Sequence, residues 1–110
     1  MEWHKEVIMK QPHHWTFLSN HTHVLLVITR NPHVRLRDIA EEVGITERAV
    51  HRLIADLIDD GYLSVTKEGR RNHYSVQADK PLRHALESHR NVTELLEMLL
   101  PEEFSKAAAS

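Results

Sequence analysis

From residue 20 onward the apolar positions recur at helical spacing, broken by a few turn residues. Val24, Leu25, Val27 and Ile28 form one face of a first helix, which Asn20 or Thr22 can cap and Asn31-Pro32 ends. Residues 33–36 read as a short extended stretch after the proline. Residues 37–43 predict a second helix, with Ile39, Ala40 and Val43 inward, Arg37, Asp38, Glu41 and Glu42 outward, and Leu36 just before it as a staple. Gly44 supplies the left-handed residue that stops this helix, and Ile45 follows as an apolar plug. Thr46 then caps a third helix, whose Val50, Leu53, Ile54, Leu57 and Ile58 repeat at 3.6 spacing until Asp60-Gly61.

Beyond Gly61 the period changes. Residues 62–67 alternate with Leu63 and Val65 on one face, Lys67-Glu68-Gly69-Arg70 form a tight turn, and residues 71–76 alternate again through Tyr74 and Val76. This predicts a β-hairpin. Pro81 marks the start of a long final helix that runs to Leu100, before Pro101. At the other end, Trp3, Val7 and Met9 share a rough helical face before Pro12, which fits a short packing arm or helix. The expected organisation is an arm over 1–15, a central domain over 16–79, a C-terminal helix over 80–101 and a small-residue tail over 102–110 that frays.

Helix, extended stretch, helix, glycine turn, helix and hairpin is the layout of a winged helix-turn-helix, a mainly α (α+β) fold with a two-stranded wing. The motifs Arg37-Asp38-Ile39-Ala40-Glu41, Gly44-Ile45-Thr46-Glu47-Arg48-Ala49-Val50, Asp60-Gly61-Tyr62-Leu63 and Gly69-Arg70-Arg71-Asn72-His73-Tyr74 carry this signal. On these motifs, residues 36–76 resemble the DNA-binding region of small bacterial and archaeal winged-helix regulators of the broad MarR and ArsR type. With the flanking helices the resemblance extends over roughly 15–100. It implies a cytoplasmic, prokaryotic, DNA-binding transcription regulator that acts as a homodimer. The chain departs from many ArsR-like sensors in having no cysteine.

Composition narrows the chemistry further. A chain of 110 residues, 41% hydrophobic and 27% charged, is one ordinary small globular domain. With no cysteine, disulfides, Cys-ligated metal and thiol chemistry are excluded. No apolar run approaches a membrane span and no leader is expected. No nucleophile elbow, phosphate-cradling glycine loop or H-E-x-x-H motif is present, so the chain does not read as an enzyme. The net charge of -2 argues against a nucleic-acid binder, since no global positive field attracts phosphate.

The positions of the charges answer that objection. In the third helix, over 46–60, Arg48, His51 and Arg52 lie in the first half, whereas Asp56, Asp59 and Asp60 lie in the second. That order opposes the helix dipole, so helix stability does not explain it. It suits a recognition helix, whose N-terminal residues meet base edges in the major groove. With Val50, Leu53 and Leu57 inward, Glu47, Arg48, His51, Arg52 and Ala55 face outward; Arg48 and Arg52 can bond guanine, Glu47 cytosine, and Ala55 a thymine methyl. The rival reading is a solvated face with pairs such as Arg52 to Asp56.

Lys67, Arg70 and Arg71 surround the wing tip (67–72), with Arg70 placed to enter the minor groove while the loop crosses the backbone. For Arg71 and His73 an ion pair with Asp56 or Asp59 is an equal alternative. Arg35 and Arg37 flank the second helix, which crosses the backbone in this motif, and Thr46 can donate to phosphate as well as cap.

Two features remain. Leu82, Leu86, His89, Val92, Thr93, Leu96, Leu99 and Leu100 form a stripe along the expected final helix, which predicts a two-fold dimer interface. The alternative is packing within the chain, against Trp3 and Trp15. Ten histidines invite metal or pH-sensing readings through His13-His14, His21 and His23, or His84, Glu87 and His89. Scattered surface histidines are the expectation, with no metal and no cofactor. Protonating them would raise DNA affinity as pH falls through about 6.5, with His51 and His89 the most consequential. The serious functional rival is a winged helix that binds another protein rather than DNA.

Overall fold

The computed structural model describes residues 15–101; the expected N-terminal arm, apart from Trp15, and the tail over 102–110 lie outside them. Trp15 meets Phe17 edge-on at 5.0 Å between ring centroids, and both are exposed, so Trp15 does not cover the C-terminal segment. The elements are α1 (Asn20–Arg30), α2 (Leu36–Val43), α3 (Glu47–Asp59), β1 (Leu63–Glu68), β2 (Arg71–Val76) and α4 (Val92–Leu99). This is a winged helix-turn-helix: three helices around one core, followed by an antiparallel hairpin.

The first three helices share one core. Val24, Leu25, Val27 and Ile28 of α1 are buried with Ile39 and Ala40 of α2 and Val50, Leu53, Ile54 and Leu57 of α3. These are the positions the 3.6 period selects, except that Ile58 at the end of α3 stays partly exposed. Residues 31–35 form no separate strand. They are drawn to the hairpin by a single ladder bond, in which the Tyr74 amide donates to the Pro32 carbonyl at 2.9 Å. The hairpin register pairs Leu63 with Val76 and Val65 with Tyr74, so Leu63 and Tyr74 turn into the core.

The C-terminal segment departs from expectation. Residues 80–101 are not one helix: only Val92–Leu99 is helical, and residues 81–91 form an exposed excursion. Its ends pair as extended backbone, with the Leu82 amide donating to Arg90 O and the Val92 amide to Lys80 O, around the Pro81–Asn91 bridge. The physical reason lies in Asn91. Its side chain accepts from the Glu94 amide at 2.9 Å while the Glu94 carboxylate accepts from the Asn91 amide at 3.0 Å. That reciprocal capping box starts a helix at 92 and prevents one from passing through 91. The same backbone bond, aided by Arg90, holds the Glu94 carboxyl below its ordinary range.

The leucine stripe therefore breaks into unequal parts. Val92, Leu96 and Leu100 are buried in the chain's own core, and Leu82 packs partly against it. Thr93 is tied to Ala78 O by both its amide (2.7 Å) and its hydroxyl (2.8 Å). Leu86 lies in the excursion, 80% exposed, and His89 is exposed beside it. Val92, Leu96 and Leu100 are thus taken up by packing within the chain, against the core of the first three helices and not against Trp15. Leu96→Ala is expected to lower stability by about 2–5 kcal/mol, as for other buried leucines, in a urea unfolding curve of the full chain. An effect below about 0.5 kcal/mol would show that α4 is not part of the core.

Candidate nucleic-acid interface

The turn between α2 and α3 sets the geometry of the site. Gly44 is left-handed (φ 88°, ψ 35°), and both its amide and that of Ile45 donate to the Ala40 carbonyl, at 2.8 and 3.0 Å. An added Cβ at Gly44 would meet nothing within 4 Å, so glycine is required there by backbone conformation rather than by space. Thr46 caps α3 as the sequence predicts, its hydroxyl accepting from the Ala49 amide at 3.1 Å.

With Val50, Leu53, Ile54 and Leu57 buried, Glu47, Arg48, His51, Arg52 and Ala55 are exposed together on the outer face of α3. Among the described residues no hydrogen bond or ion pair holds Arg48 or Arg52. The Arg52–Asp56 pair of the rival reading is not formed; Asp56 instead meets His21 Nε2 of α1 at 3.0 Å. Asp60 is paired with Arg83 at 2.9 Å. Two of the three acids in the rear half are thus engaged by groups behind α3, whereas the basic front half is left open to solvent.

The flanking groups divide. Arg37 is exposed and unpaired among the described residues, whereas Arg35 lies 3.4 Å from Asp38, one turn along α2. Behind them Arg30 is bonded to Glu42, joining α1 to α2. At the wing tip Gly69 (φ 66°) takes the first place of a two-residue turn and Arg70 the second, with Glu68 and Arg71 closing the ladder. Lys67 and Arg70 stand exposed there. Arg71 differs: its guanidinium donates to the His33 carbonyl at 2.7 Å, so it braces the wing base instead of reaching outward. Neither Arg71 nor His73 pairs with Asp56 or Asp59.

The structure also gathers a cluster that the sequence did not reveal. His33 Nε2 lies 2.9 Å from Glu68 Oε1, and the His33 and His73 rings are 4.6 Å apart, tilted by 47°. One ligand atom from each of His33, Glu68 and His73 lies within 4.8 Å of the others. The His33 bond is the main cause of a Glu68 carboxyl held below its ordinary range. These residues are 35 and 40 positions from His33, so no local spacing announces them; only the hairpin register and the return of β2 to Pro32 do.

Residues 19–64 match the family model described as winged helix-turn-helix DNA-binding, spanning α1, α2, α3 and the start of β1. Among solved structures, the PcaV transcriptional regulator from Streptomyces coelicolor, crystallised with its natural ligand, is similar at 19% sequence identity. That similarity covers 84% of this chain and 70% of that one, with a TM-score of 0.48. No curated protein matches the chain. Among the described residues no helix is long and apolar enough to cross a membrane.

Gly44→Ala is expected to cost about 1–2 kcal/mol, the penalty of a Cβ in left-handed backbone, read as a lower urea midpoint with unchanged slope. A neutral result would mean that the turn relaxes without cost. Residues 19–64, which fold as a winged helix-turn-helix, are thus similar to a family of DNA-binding domains of that fold.

Proposed function

We propose that the chain is a sequence-specific double-stranded DNA-binding transcription regulator, with the first half of α3 in the major groove and the wing tip against the backbone and minor groove. One observation carries this reading: Arg48 and Arg52 are exposed on one face and unpaired among the described residues, while Asp56 and Asp60 behind them are engaged by His21 and Arg83. Charged groups held ready in this way suit bidentate contacts to guanine O6 and N7. Glu47 and His51 share that face, and Thr46 stands at its entrance.

Arg37, Lys67 and Arg70 are placed for phosphate and minor-groove contact. Arg35 and Arg71 play smaller parts, since Asp38 and the His33 carbonyl already occupy them. Two copies reading half-sites about 34 Å apart would suit a pseudo-palindromic site. The C-terminal surface left for such a pair is the outer side of α4 and the excursion before it, where Leu86, His89, Met98 and the half-covered Leu99 lie.

The test is selection from random duplexes by the purified chain, followed by affinity measurements on variants. Arg48→Ala and Arg52→Ala should each lose about 1–3 kcal/mol at one base position and relax preference there. Arg70→Ala should weaken all duplexes alike and reduce the salt slope by about 1. Weak binding to every duplex, unaffected by these substitutions, would overturn the reading in favour of a protein-binding winged helix.

A further inference from the structure

We propose that His33, Glu68 and His73 form a binding site for a divalent transition metal of the zinc, cobalt or nickel class at the base of the wing. The three side chains come from three separate segments: the loop after α1, the end of β1 and the middle of β2. Their convergence follows from the register. Thr66 lies opposite His73, and Glu68, two residues further along β1, projects from the same face of the hairpin as the diagonal neighbour of His73. The Tyr74 amide bond to Pro32 O brings residues 32–33 alongside β2, and the His33 ring falls beside that of His73.

The donor set suits the metal. Two imidazoles and one carboxylate are a known three-residue zinc set, in which water takes the fourth tetrahedral position. The three ligand atoms lie within 4.8 Å of one another. Tetrahedral zinc with bonds near 2.0 Å needs them about 3.3 Å apart, a contraction within reach of side-chain rotation. His33 Nε2 and Glu68 Oε1, at 2.9 Å, are already closer than that. Both histidines are half-buried and Glu68 is exposed, which leaves a route for the ion and a place for water. Arg71 is a neighbouring cation, and its guanidinium donates to the His33 carbonyl.

Occupancy would bind the loop after α1 to both strands of the wing. It would also cancel the negative charge of Glu68, which directly precedes the Gly69-Arg70 turn. The site stands on this geometry alone and does not depend on the DNA reading. The other histidines that the sequence singled out among the described residues converge on no such set: His21 meets Asp56, His23 meets Asn20, and the His84 ring accepts from the Leu86 amide.

The full chain should be titrated with Zn²⁺ by calorimetry and with Co²⁺ by visible absorption. The parent is expected to bind one ion at its tightest site, with the intense visible bands of four-coordinate Co²⁺. His33→Gln and His73→Gln should each weaken that site by more than the roughly 10–100-fold typical of losing an outer-shell partner. Glu68→Gln, on an exposed position, should weaken it at least about tenfold without disturbing the fold. Zn²⁺ should also slow amide exchange at Tyr74 in the parent and not in the variants. A His13→Gln/His14→Gln control should retain the site. No saturable binding by the parent, or binding that survives unchanged in Glu68→Gln and in the histidine variants, would overturn the proposal.

Discussion

The structure depends most on the Ala40 carbonyl, which accepts the amides of both Gly44 and Ile45. Those two bonds close α2 and reverse the chain within one left-handed residue, so that Thr46 can cap α3 immediately afterwards. Ala40 and Ile39 are buried against the inner face of α3, and that packing fixes which residues of α3 are left outside. A helix separated from the one before it by only three residues has little freedom of direction. The exposed set Glu47, Arg48, His51 and Arg52 follows from this turn and from the apolar period of α3 together, and neither feature alone would produce it.

Electrostatics then acts on that frame in a local way. The chain has a net charge of -2, and the region 35–73 has seven Lys and Arg against eight Asp and Glu. An average over the molecule therefore says little about any one face. What distinguishes the outer face of α3 is engagement: Asp56 and Asp60 are held by His21 and Arg83 from neighbouring segments. Exposed pairs of this kind contribute little to stability, but Arg83 partly neutralises the negative charge of Asp60 behind the basic front half. A domain of this type would use a small electrostatic footprint and lean on base contacts for its affinity.

Much of this was legible in the sequence because it is local. The 3.6 period of Val50, Leu53 and Leu57, the Gly44 stop, the Thr46 cap and the alternation around Gly69 each rest on neighbours a few residues apart. The final segment departs from its sequence pattern for a related reason. Leu82, Leu86, Leu96 and Leu100 fit a helical stripe, and that period outweighed the capping box Asn91-Val92-Thr93-Glu94 inside it, although both are sequence signals. The box prevailed because the segment 80–82 had a backbone partner in 90–92, which no periodicity reveals. The same holds for His33, Glu68 and His73. Their meeting is a product of strand register and a long-range backbone bond, and ten scattered histidines offer no way to choose these two.

The most direct test of the central claim is an amide and arginine side-chain NMR titration of the isotope-labelled chain with a random-sequence duplex pool at low salt. The account predicts shifts concentrated at residues 46–52, at Arg37 and at the wing tip 67–70, with little change over 92–100. Absence of any shift, or shifts confined to the excursion and α4, would contradict it.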